Sequence, residues 1–152
     1  MKTLLDDFYM CFLHAAGYVD GNLHIIVAEG LRAADPEDIK IGDQVIEGTY
    51  AVEASENSRL VEVRFSRPIA WQVVDEGATT FDESEVRDDN SKLQVFTRSK
   101  YFDYFMANHE WFLDSNRGAA KHYCVLTVTE VIDVVAYEPP TVTPYERPKT
   151  TG

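Results

Sequence analysis

The chain has 152 residues, with 26 acidic against 14 basic side chains and a formal net charge of −12. An apolar fraction of 45% and an aromatic fraction of 12% can fill one core, which excludes a disordered chain and predicts a single domain. The negative charge repels phosphate backbones and anionic lipid, so it argues against nucleic acid and membrane surfaces and for a basic protein as partner.

At the start, MKTLLDDFYMCF sets two aspartates ahead of any apolar run, so no signal peptide is expected. No apolar run approaches membrane-spanning length, and a cytoplasmic location is the expectation. Cys11 and Cys124 both lie in apolar segments and read as reduced, buried thiols. Residues 8–15 and 23–29 read as a hairpin turning at Asp20-Gly21. A helix over 6–16 competes, because Leu5, Phe8, Phe12 and Ala15 also fit helical spacing.

Residues 33–43 read as a polar connection with a turn at Asp35-Pro36. Residues 44–54 alternate apolar and polar, and Gly48 in their midst suggests a bulge. Glu56-Asn57-Ser58 then turns the chain into 59–76, which makes 44–76 an antiparallel pair. In RLVEVRFSRPIAWQVVDE the apolar Val61, Val63, Phe65, Ile69, Trp71 and Val73 all hold odd positions. That period of two marks half-buried β-structure, either one long strand kinked at Pro68 or two joined by a tight connection.

Residues 75–90 hold seven acids and one base, Arg87, and predict a surface loop. Leu93, Val95 and Thr97 suggest a short strand. In 99–114, Tyr101, Phe102, Phe105, Met106, His109, Phe112 and Leu113 recur at three- and four-residue intervals, predicting a long amphipathic helix capped by Ser99. Residues 121–137 alternate again, as one bent strand or two. Residues 138–152 carry four of the six prolines and predict an extended tail.

The expected fold is α+β: mostly antiparallel sheet, or a partly open barrel, with the long helix 99–114 packed on it. Residues 1–137 form the domain and 138–152 the tail.

Chemical signals are sparse. His14, His24, His109 and His122 have no metal-type spacing, so no metal site or cofactor is expected. His122 and Cys124 share a strand face but stand roughly 6–7 Å apart along it, too far for a direct nucleophile–base bond. Segment 82–90 lacks the glycine and ligand order of a calcium loop. No catalytic residue is assigned, and a non-enzymatic role is favoured.

Lys121-His122-Tyr123, Val131-Ile132-Asp133-Val134 and Glu138-Pro139-Pro140, following the aromatic segment and a negative loop, resemble small acidic bacterial immunity-type proteins that neutralise toxins. The resemblance implies a toxin-blocking protein module and carries over no functional residue. The leading expectation is therefore an acidic protein-binding module. Its partner surface would comprise Asp75, Glu76, Phe81, Asp82, Glu83, Glu85, Asp88 and Asp89, with reversal of the four acids at 82, 83, 88 and 89 slowing capture. The alternative is a small enzyme or small-molecule binder with a pocket between helix 99–114 and the sheet, lined by Trp71, Tyr104, His109 and His122. A homo-oligomer pairing through an exposed sheet edge is the third expectation.

Overall fold

The computed structural model describes residues 1–80, 82–109 and 119–148. In chain order the strands are β1 (Cys11–Val19), β2 (Asn22–Glu29), β3 (Leu31–Arg32), β4 (Glu37–Ile41), β5 (Gln44–Thr49), β6 (Val52–Glu53), β7 (Leu60–Ser66) and β8 (Ala70–Asp75). They continue as β9 (Val86–Arg87) and β10 (Leu93–Arg98), then, after helix α1 (Lys100–Asn108), as β11 (Lys121–Leu126), β12 (Glu130–Ala136) and β13 (Thr141–Tyr145). No helix among the described residues is long and apolar enough to cross a membrane.

Two antiparallel sheets, ordered β1-β2-β7-β13 and β8-β12-β11-β10-β9, pack face to face. Period-2 alternation supplies the interface. Leu23, Ile25, Val27, Val63 and Phe65 from the first sheet meet Leu93, Tyr123, Val125, Ile132 and Val134 from the second. Phe65 and Tyr123 touch edge to face across the gap, with ring centroids 5.4 Å apart. Truncating a fully buried member such as Ile132 to alanine costs about 2–5 kcal/mol. Leu5, from the 3-10 turn Leu4–Asp7, and Phe8, its C-cap, join the same core.

β1 turns into β2 at Asp20-Gly21, where both residues hold positive φ, 49° and 77°, the pair a two-residue hairpin requires. The chain crosses from the first sheet to the second between β7 and β8. Pro68 sits at the crossing, where its missing N–H removes no ladder bond. Arg67, at φ 47°, donates its N–H to the Gly21 carbonyl at 2.8 Å, and Ile69 N–H takes up the Val135 carbonyl at 2.7 Å. The odd-numbered alternation therefore spans two strands of different sheets. Trp71 and Val73 keep the inward side, opposite Val134 and Ile132, yet stay about two-fifths exposed because β8 is an edge.

The expected long helix packed on the sheet, and the partly open barrel, are corrected: this is a mostly-β sandwich with a nine-residue helix and no closed barrel among the described residues. The reason lies in the sheets. Their apolar faces already cover one another. The outer face of the second sheet carries Gln94, His122 and Asp133, polar groups that an apolar helix face would strip of water. Helix α1 buries none of its residues, ends with His109 as its C-cap, and its Tyr101 leans on that face against His122. Residues 110–114 of the expected helix lie outside the described residues.

Two connections also differ. Segment 44–54 does not pair with 59–66; β5 pairs with β4 as a separate ribbon, inside the small β3–β6 pair, and β7 pairs with β2. Residues 33–43 thus contain a strand that lacks apolar/polar burial, since all of β4 is exposed and nothing enforces a pattern there. Thr141–Tyr145, within the expected tail, forms the edge strand β13 against β7. Gly30 is the hinge to the ribbon: an added Cβ would stand 2.8 Å from Phe12 Cε2 and 2.9 Å from Val52 Cγ1.

Candidate functional site

The register of the second sheet decides what its outer face displays. Cys124 pairs with Asp133, His122 with Val135 and Leu126 with Val131, so the even residues of β11 and the odd residues of β12 point away from the core. Gln94 and Phe96 of β10 join them opposite Cys124 and His122, and Gln72 of β8 joins opposite Asp133.

On this face a buried relay forms. His122, 3% exposed, places Nε2 2.9 Å from Asp133 Oδ1 and Nδ1 2.7 Å from Ser99 Oγ. Gln72 Nε2 donates to the other Asp133 oxygen at 2.9 Å. Phe96 stacks on the imidazole at 4.6 Å and Tyr101 tilts over it at 5.2 Å. Burial alone would raise the Asp133 pKa. Hydrogen bonds from His122, Gln72 and Cys124 outweigh it and hold the carboxyl below its usual range, so it is ionised at neutral pH.

Carboxylate, imidazole and hydroxyl in a row resemble the relay of a serine nucleophile. Two facts set this one apart. The Ser99 hydroxyl already accepts the Phe102 N–H at 3.0 Å as the N-cap of α1, and Ser99 is 1% exposed. A nucleophile must reach substrate; this oxygen is shut in and holds a helix end. The relay therefore positions Asp133, His122 and the start of α1 against one another.

Beside the relay lies a cavity of about 270 Å³. Its floor is Phe96, Cys124, Leu126 and Val131, with Asp133 and His122 at one end. Glu76, Thr79 and Thr80 form one wall, and Glu85, Arg87 and Tyr101 close the other. Burial pushes the Tyr101 phenol up to about 12, with help from the Asp133 charge, so it stays a protonated donor. Burial likewise raises Cys124 well above an ordinary thiol, and Asp133 adds to the effect. Neither group is a nucleophile at neutral pH.

Of the four expected pocket residues, only His122 lines this cavity. Trp71 lies on the opposite side of its strand, Tyr104 is 68% exposed, and the His109 ring sits 4.5 Å from Phe105 at the end of α1. The histidines do not converge: His14 is exposed on β1 and His24 meets Glu62 at 2.8 Å on the first sheet. Among the described residues no group of three or more metal-type ligands occurs.

The acidic segment is tied down by its own charges. Asp82 pairs with Lys100, and the hydrogen bonds from Lys100 and Ser84 hold its carboxyl well below the usual range. Asp88 and Asp89 accept from the Met1 ammonium at 2.6 and 2.9 Å. Glu85 accepts the Lys100 N–H at 2.9 Å, and Asp75 caps the 3-10 turn Glu76–Ala78. Glu83 is exposed, Glu76 is exposed at the cavity wall, and Phe81 lies outside the described residues.

Ser99, Phe96, Gln94 and Asp133 went unrecognised as site residues in the sequence. The available signal was Asp133 itself, an acid inside the apolar run Val131–Val135, which a buried strand tolerates only with partners.

No family model matches the chain, and no curated protein or solved structure matches it.

Proposed function

We propose that this protein is a non-enzymatic binding protein whose working element is the cavity on the outer face of the second sheet. The observation that carries this reading is the convergence of imidazole, carboxylate, phenol and aromatic groups around a space that side chains leave unfilled. An apolar floor with a few fixed polar groups is how small-ligand sites are built, and about 270 Å³ is just below the usual range of roughly 300–1,000 Å³, so the ligand is of metabolite size. The relay fixes the polar groups in advance, which lowers the ordering cost of binding. A thermal-shift panel of metabolite-sized compounds tests it. Compounds that raise the Tm of the wild type but not of Leu126→Trp, which fills the floor, support the reading. Compounds that raise both equally bind elsewhere and count against it.

A second reading, capture of a basic protein, is favoured by the β4–β5 ribbon. Ile39 pairs with Ile46 and shares its face with Ile41, and these are 47%, 48% and 62% exposed. The same ribbon carries Glu37, Asp38, Asp43 and Glu47 against the single base Lys40. An apolar face on an acidic ribbon suits a partner with an apolar cleft and basic surroundings, and toxin neutralisation is one form this would take. A basic partner retained by the wild type and lost by Ile39→Ser/Ile41→Ser/Ile46→Ser supports it; equal retention contradicts it.

A further inference from the structure

We propose that the outer-face cavity selects small organic cations: a protonated amine carried on an apolar body. The inference rests on the cavity being a ligand site, and adds the class of ligand.

Charge comes first. Three carboxylates, Glu76, Glu85 and Asp133, line the cavity against one guanidinium, Arg87. The balance is negative whether or not His122 carries a proton. Arg87 stays on the lining, where its Nη1 donates to Gln94 Oε1 at 3.3 Å and its guanidinium lies 5.4 Å from the Phe96 ring centroid, and it offsets one of the three carboxylates. An anionic ligand would still meet a net negative lining, while a cation would be attracted in a partly enclosed space where charges act more strongly than in water.

Shape comes second. The Phe96 and Tyr101 rings stand at the end of the cavity where Asp133 and His122 lie, and Leu126 and Val131 pave the other. Phe96 already carries the His122 ring at 4.6 Å and Arg87 at 5.4 Å, so Tyr101 supplies the aromatic surface beside the carboxylates that holds an ammonium group, through the ring quadrupole together with charge-assisted hydrogen bonds. The apolar paving takes a hydrocarbon body. Thr80 also lines the cavity and offers a hydroxyl, so a ligand with a polar far end is accommodated as well.

Three probes of one shape and different charge test the proposal: 2-phenylethylammonium, 2-phenylethanol and phenylacetate, each titrated into 15N-labelled protein and followed by amide shifts. The ammonium probe is expected to bind at least about tenfold more tightly than the alcohol, a modest share of what one close charge pair supplies near a surface. Phenylacetate is expected to bind weakest. Glu85→Gln is the matching variant, because the amide oxygen can still accept the Lys100 N–H while the charge is gone. It should weaken the ammonium probe several-fold and leave the alcohol unchanged. If the alcohol or phenylacetate binds as tightly as the ammonium, with shifts at Phe96, Tyr101 and Leu126, the cation class is overturned and the cavity reading survives. If no probe moves those amides, both fall.

Discussion

Asp133 and His122 meet at 2.9 Å on neighbouring strands, at positions offset by two residues in the register, and both are drawn into the outer face of a sheet whose other face is core. A carboxylate that is almost nine-tenths covered survives there because each oxygen has a partner, His122 on one and Gln72 on the other.

Asp133→Asn leaves His122 facing an amide and is expected to cost about 1–3 kcal/mol at pH 7. The pH dependence has a definite sign. A folded-state pKa held below the unfolded value of about 3.9 gives stability that is complete above that value and is lost as pH falls through the folded one. Urea melts of wild type and variant should therefore converge on acidification below about pH 4. A gap that stays constant to low pH would show that the carboxylate charge is not what the fold uses.

Both thiols are expected to be inert in the native state. Burial raises Cys11 to about 11 and Cys124 well above the ordinary thiol value. Thiol titration with an aromatic disulfide at pH 8 should show slow labelling that becomes complete on unfolding. Fast labelling of one equivalent in native protein would contradict the burial of the cavity floor at Cys124.

Gly30→Ala is expected to destabilise by about 1–3 kcal/mol, because the new methyl meets Phe12 and Val52 and overpacks the hinge at the ribbon. Chemical denaturation measures it. A neutral result would mean that the ribbon's base yields, and that its direction is not fixed by the sandwich.

The ribbon isoleucines should matter little to folding. Ile39→Ser/Ile41→Ser/Ile46→Ser is expected to unfold within about 0.5 kcal/mol of wild type, as surface changes do. Two copies that each carry −12 repel, so light scattering should show a monomer for both proteins. A wild-type dimer that dissociates in the variant would replace the basic partner with a second copy of the chain.

Much of the sandwich was legible in the sequence. Val61–Val63–Phe65 show the period of two because one face is dry and the other is not. In 121–126, by contrast, the even parity of Cys124 and Leu126 suggests the core face, and Tyr123 and Val125 hold it instead, both faces of that strand being buried. The ribbon's pairing was hidden for the converse reason: both of its faces are exposed, so the alternation in 44–54 carries no core contact to say which strand lies beside it. The aromatic segment misled because three- and four-residue spacing describes a stripe without saying that anything lies opposite it. Above all, the site depends on the β11–β12 register. Thr127-Val128-Thr129 carries no glycine or asparagine signature, and the turn is held instead by Thr127 Oγ1, which donates to the Glu130 carbonyl at 2.8 Å. Without that register, nothing places Asp133 beside His122.

The most direct measurement is an NMR fragment screen run in parallel on wild type and Leu126→Trp. The account predicts saturable shifts at the amides of Phe96, Tyr101, Leu126 and Asp133 in the wild type, and their loss once the floor is filled. Fragments whose shifts cluster elsewhere, or that perturb both proteins alike, would contradict a ligand site on this face.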